Sequence, residues 1–402
     1  MRGGLLLPAV LALAPPAPAQ IAVRGETVYT MAGAPLKDGI VLVEGGKITR
    51  VGPAASVPAP AGHRLLRAKV VTPGLIDAHT VVGLAGYLNQ NHDQDQLERS
   101  TAVQPELRAI DSYNPREPLV EYLRGYGVTV LHTGHAPGAL ISGQTMIVKT
   151  AGRTVEQASL KPAAMVAATL GAAARAEQGK SPGTRAKMVA MLRGELLRAR
   201  DYAEKASRAE KGREPARDLR LEALAQVLKG EMPLLITVNR ANDIVTAIRL
   251  GKEFNLTLVL DGAAEAHGVL DEIKASGYPV LLHPTMARAA GETESLSLET
   301  AARLRAAGIP FALQSGYESY VPKTRVVLFE AAMAAANGLT FEQALSSVTI
   351  DAARLLGIAG RVGSLEAGKD ADIALYDGDP FEYTTHCTGV VLNGQVVSET
   401  AQ

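Results

Sequence analysis

Tryptophan is absent from this 402-residue chain, and only five phenylalanines occur. Any core must therefore be built from Leu, Val, Ile and Ala, which suits buried parallel strands and the helices that cover them. Cys387 is the sole cysteine. An intramolecular disulfide is excluded, and so is a cysteine-based zinc site. Neither sign of charge predominates: 41 basic residues balance 41 acidic ones. That balance, with no recognition motif for nucleic acid, argues against a nucleic-acid partner. No apolar run approaches the ~20 residues that span a bilayer. There is no Gly-x-Ser-x-Gly, so no serine nucleophile elbow is declared. Internal repeats are also lacking.

What is present begins with Arg2, the short apolar run Leu5 to Ala14, and the small-x-small stretch Ala17-Pro18-Ala19. This order reads as a secretory signal over residues 1–19, implying an exported, periplasmic or secreted protein without a membrane segment after cleavage. Both ends of the remaining chain are β-like. Gly45-Gly46 separates Gly39–Glu44 from Lys47–Gly52, and Asn393-Gly394 separates Thr388–Leu392 from Gln395–Val397, as hairpin turns do. The middle alternates strand and helix. Val128–His132, Pro233–Val238, Leu256–Leu260, Pro279–Leu282 and Pro310–Leu313 are short apolar strands, and Ala241–Leu250 and Ala264–Ala275 read as helices between them. Serial units of this kind predict a parallel sheet closed as a (β/α)8 TIM barrel in an α/β protein. The charged stretch Ser181–Glu231 breaks the rhythm. Its Met188, Met191, Leu192, Leu196 and Tyr202 predict a helix lying on the barrel.

The run Val70-Val71-Thr72-Pro73-Gly74-Leu75-Ile76-Asp77-Ala78-His79-Thr80-Val81 carries the most specific chemistry. It resembles the first barrel strand of the amidohydrolase superfamily, which ends in Pro-Gly-x-Ile-Asp-x-His-x-His. Residues i and i+2 of a strand share a face, so such a histidine pair can hold one metal ion. The Gly363-Ser364-Leu365-Glu366-Ala367-Gly368-Lys369-Asp370-Ala371-Asp372-Ile373 run resembles the family's re-entry into a small β-sandwich. Leu140-Ile141-Ser142-Gly143-Gln144 resembles the Gly-Gly-Gln loop of imidazolonepropionase-like and exported members. The resemblance implies a composite β-sandwich from residues 20–71 and 361–402 around a barrel spanning 72–360. It also implies metal-dependent hydrolysis of amide or other non-peptide C–N bonds.

The family's ligand positions are mostly filled by residues that cannot serve. His79 is kept as a vestigial ligand, but Val81 stands at the second histidine. Ala172 stands where relatives carry a Glu, and Thr237 and Asn239 where strand five carries His-x-His. Gly262 replaces the strand-six histidine and Gly316 the strand-eight Asp, both metal ligand and general base. A catalytic metal needs three or more protein ligands and an open position for water.

The reading that follows is an amidohydrolase-family pseudoenzyme, non-catalytic or dependent on a partner, with no cofactor. It would keep a small-molecule ligand at the barrel mouth and act as a homo-oligomer or paired with an active paralogue. The alternative is an active hydrolase whose zinc or other divalent ion sits in a rebuilt site of His79, His132, His135 and His283, with Asp261 and Glu265 nearby. A third reading is metal-free chemistry by Tyr317, Tyr320, Lys323 and Lys149. His63, His92, His267 and His386 receive no role.

Overall fold

Alternating apolar residues at the two chain ends condense into one seven-stranded sheet. In the computed structural model, the structure describes residues 20–402 other than 89, 285, 286, 288 and 317–325, so the signal-like segment lies outside the described residues. Strands Ile21–Val28, Leu36–Glu44, Lys47–Pro53 and Arg64–Pro73 join Ile373–Tyr376, Cys387–Leu392 and Gln395–Ser398. Ile373–Tyr376 pairs antiparallel with Arg64–Pro73, so the C-terminal strands extend the N-terminal sheet directly. One face buries Ile21, Val23, Val41, Ile48, Val71, Ile373, Leu375 and Val391, with Leu365 and Ala371 laid over them. Gly45 and Gly46 have φ of 58° and 82°, and Asn393 and Gly394 have 51° and 72°. Positive φ at both central residues is the type I′ hairpin turn. The two turns also touch: a Cβ on Gly394 would lie 2.6 Å from the Gly46 Cα, which glycine alone tolerates.

The barrel has parallel strands Leu75–Thr80, Val128–Thr133, Val166–Thr169, Leu234–Val238, Leu258–Gly262, Val280–Leu282 and Phe311–Leu313. The third place departs from the expected all-parallel (β/α)8 pattern. There Ile141–Gln144 pairs antiparallel with Val166–Thr169, and Met146–Lys149 pairs antiparallel with Val128–Thr133. The short loop 134–140 reverses the chain without a crossover helix, and only an antiparallel strand can follow so tight a return. The hydrogen bonding is thus divided between a six-stranded and a four-stranded sheet. An isolated parallel bridge between Thr80 and Gly316 joins the first strand to the end of the last.

Inward side chains Ile76, Val130, Ile147, Leu235, Val259, Leu281 and Ala312 fill the lumen, and Ala352 and Ala353 of helix Ile350–Leu355, with Leu356 at its C-cap, close its lower end. Outward residues such as Leu131, Ile236, Leu260 and Leu313 pack against helices that include Pro118–Gly125, Ala241–Phe254, Thr300–Ala307 and Val326–Ala336. The charged insertion is two helices, Arg185–Arg208 and Leu219–Leu228. Met188, Leu192 and Leu196 are buried as the stripe predicts, while Met191 and Tyr202 are half-buried. Ala264–Ala275 is shorter in helix than its sequence suggests: a 3-10 turn at Ala266–Gly268 precedes helix Leu270–Ser276. No described helix is long and apolar enough to cross a membrane.

Candidate functional site at the barrel mouth

Inward alternation carries polar residues to the C-terminal end of the lumen, one layer above the apolar plug. Thr237, Asp261, His283 and Gln314 continue the inward rows begun by Leu235, Val259, Leu281 and Ala312. Asp261 is the centre of this layer and is fully buried. Its carboxylate lies 2.8 Å from His79 Nδ1 and accepts from the Thr237 hydroxyl at 2.6 Å and Gln314 Nε2 at 2.9 Å. Burial pushes this carboxyl up. The neighbouring His79 and the three hydrogen bonds outweigh that and hold it below the ordinary Asp range.

The histidines differ in what they leave free. His132 stacks beside His79 with ring centroids 5.4 Å apart. Its Nδ1 donates to the Ala78 carbonyl at 2.7 Å, and its Nε2 meets the Thr145 hydroxyl at 2.7 Å. A carbonyl only accepts, so the proton is on Nδ1 and the Nε2 lone pair is taken by the hydroxyl. Burial, then the nearby His79, push His132 down to about 3, and it is neutral. His283 is likewise pushed by burial to about 4, and its Nδ1 donates to the Pro284 carbonyl at 2.8 Å. His135 is pushed by burial to about 4 and sits behind the loop, where a Cβ on Gly143 would come within 2.6 Å of its Nε2. The structure thus brings His79, His132 and Asp261 together. Among the described residues, no group of three or more His, Cys, Asp or Glu side chains is placed to hold a metal ion.

Other sequence candidates have structural duties. Glu265 accepts from the Ala241 amide at 2.8 Å and so caps helix Ala241–Phe254. Lys149 points away from the mouth, because its strand runs antiparallel. Its ammonium lies 2.9 Å from both Asp370 and Asp372 and bonds the Asn393 side chain. Tyr317, Tyr320 and Lys323 lie outside the described residues.

The positions that the resemblance equates with the family's other ligands are sterically committed. Val81 is 4% exposed and packs with Ala85 and Ala136. Gly316 has φ +88°, and a Cβ there would lie 2.7 Å from Pro284 Cγ. Gly262 has φ +78°. Ala172 is exposed on a 3-10 turn beyond its strand. Sequence reasoning missed two contributors. Gln314 holds both Asp261 and the Leu281 carbonyl through one NH2, at 2.9 Å each. Asp77 of the Ile-Asp-Ala-His motif accepts from the Ser315 amide at 2.9 Å and from its hydroxyl, tying the first strand to the last. Burial raises Asp77 to about 6. The signal for Gln314 was a polar residue at an inward position of an otherwise apolar strand, whereas Asp77, in register with outward Leu131, was signalled only by its place in the strand-one motif.

Comparison with known proteins agrees with this architecture. A family model described as "Amidohydrolase family" matches residues 280–398. The amidohydrolase tasK of Hapsidospora irregularis is 28% identical over 85% of this chain, though the match spans only 38% of that protein's length. An imidazolonepropionase of Rhizorhabdus wittichii is 26% identical over 88% of this chain and 92% of its own. The crystal structure of an amidohydrolase from Thermotoga maritima superposes with a TM-score of 0.89 at 28% identity, covering 94% of this chain and all of that one. Taken with the strand-one motif and the composite sheet, these similarities identify the chain as a member of the amidohydrolase superfamily.

Proposed function

We propose that this chain is a non-catalytic amidohydrolase, a barrel that keeps the family's mouth as a ligand site without its metal-assisted hydrolysis. The observation that carries the reading is the hydrogen-bond set around Asp261. A carboxylate that accepts from Thr237 and Gln314 and faces His79 at 2.8 Å has most of its lone pairs committed to protein groups. The donor set does not fit the metal that the family implies. The His132 nitrogens are both engaged. Val81, Thr237, Gly262 and Gly316 offer no nitrogen or carboxylate at the family's positions. A weakly held ion cannot lower the pKa of a bound water to ~7, which is what the hydrolysis requires.

Export by the residue 1–19 segment, and work as a homo-oligomer or beside an active paralogue, belong to the same proposal. The near-zero net charge opposes association of like chains only weakly. The test is elemental analysis of the purified protein, with an assay for the imidazolonepropionase activity named for its relatives. The expected result is well under one metal per chain and no turnover. About one tightly held divalent ion per chain, with activity that a chelator abolishes, would overturn the reading.

A further inference from the structure

Two buried acceptors at the barrel mouth have no partner, and their hydrogen-bond chemistry dictates what can meet them. Gln314 is fully buried. Its NH2 is fixed by two acceptors, the Asp261 carboxylate and the Leu281 carbonyl, each at 2.9 Å. The amide cannot be flipped without facing oxygen to oxygen, so Oε1 is the free end, and it is buried and unpartnered among the described residues. His283 is 2% exposed. Its Nδ1 donates to the Pro284 carbonyl at 2.8 Å, which leaves Nε2 as a bare lone pair, also buried and unpartnered.

The residues that carry these two acceptors are neighbours. Leu282 is the register partner of Leu313, and His283 and Gln314 are the next residues on those two parallel strands, both in inward rows. The Thr169 hydroxyl and the Asn239 side-chain oxygen, from strands four and five, are buried and unpartnered on the same mouth. A buried acceptor left unmet is costly, so two on adjacent residues mark a place built for a donor. The carboxylate behind Gln314 strengthens the case. Asp261 pulls on the amide N–H, and hydrogen-bonded chains polarise one another, so Oε1 becomes the more negative.

We propose that the barrel mouth binds a small organic molecule through an N–H-rich group, an amidinium or primary ammonium, donated to Gln314 Oε1 and His283 Nε2. This deepens the non-catalytic reading above and names the ligand class of the same site. A carboxylate or phosphate is discriminated against, because its oxygens would face two fixed acceptors.

The probes are acetamidinium and acetate, planar isosteres that differ in donating or accepting. Each is titrated into the metal-free mature protein while the 15N resonance of the His283 imidazole is followed. Acetamidinium should shift the Nε2 resonance saturably, and acetate should not. His283→Asn keeps a donor for the Pro284 carbonyl and removes the acceptor at the Nε2 position. Measured by titration calorimetry, it should weaken acetamidinium about tenfold, the equivalent of one hydrogen bond, with an unchanged melting temperature. Gln314→Met is the second variant and is followed by the same resonance. Acetate binding in preference to acetamidinium, or acetamidinium binding that neither variant weakens, overturns the proposal. Neither result bears on metal content, so a failed ligand class and a failed non-catalytic reading are told apart by the elemental analysis and turnover assay.

Discussion

At the residue scale, the contrast between the strand-one motif and the strand-eight terminus is conformational as much as chemical. An aspartate at Gly316 would place a Cβ-bearing residue at φ +88° and drive that atom to 2.7 Å from Pro284 Cγ. Left-handed backbone costs a non-glycine residue roughly 1–2 kcal/mol, before any clash. Gly316→Asp is therefore expected to lower stability by about 2 kcal/mol and to raise zinc affinity little, as denaturant melts and metal titration would reveal. An unchanged melt with tight zinc binding would mean that one residue stood between this chain and a metal site. Val81 and Gly262 were legible as letters. Their consequence was not, since an apolar pocket around Val81 and positive φ at Gly262 are products of the fold. Asp77 shows the converse. Its motif suggests chemistry, yet its carboxylate holds Ser315 and the barrel seam.

At the scale of elements, the antiparallel third strand explains where Lys149 goes. Strand reversal sends its end toward the β domain, where Lys149 meets Asp370 and Asp372, and Asp370 also pairs with Lys47 at 2.5 Å and Arg361 at 2.8 Å. Lys149 is 3% exposed. Removing one partner of a buried ion pair strands the other charge, at about 3–5 kcal/mol. Lys149→Met is expected to lose that much in urea unfolding, and a loss under 1 kcal/mol would show that the charges are solvated after all. Asp370 adds a pH dependence. Burial raises its carboxyl, but the bonds from Lys47 and Lys149 and the charge of Arg361 more than offset this and take it to about 2, below the ordinary Asp range. A carboxyl depressed on folding stabilises above its unfolded pKa, and that stability is lost as pH falls from about 4 through about 2. The contribution is about 2 kcal/mol, so Asp370→Asn should flatten the acid limb of a stability–pH curve, and an identical limb would contradict it. The parallel strands were readable from apolar runs bounded by Gly and Pro. The reversal at strand three was not, because Ile141–Lys149 has the same composition in either direction and only its pairing decides.

At the scale of the whole molecule, the chain closes on itself. Strand Ile373–Tyr376 lies beside Arg64–Pro73 in the sheet, and Arg64–Pro73 runs through Gly74 straight into the first barrel strand at Leu75. The same boundary is crossed by the Gly74 amide donating to the Asp372 carbonyl at 2.9 Å and by the Lys149 ion pairs. Contacts this continuous leave no weak plane along which one part could melt before the other, so unfolding should be a single cooperative event. Calorimetry should give one transition, with calorimetric and van't Hoff enthalpies equal. A chain ending at Gly360 lacks Ile373–Tyr376, Cys387–Leu392 and Gln395–Ser398, three of the sheet's seven strands. It bares the backbone edge of Arg64–Pro73 together with the apolar face formed by Val71, Ile21 and Val23. Exposed edges of that kind pair with other chains, so the truncated protein should aggregate rather than fold as an isolated barrel. A soluble, monomeric 1–360 product with a sharp melt would show that the barrel is autonomous, and that the C-terminal strands are an accessory to a fold complete without them.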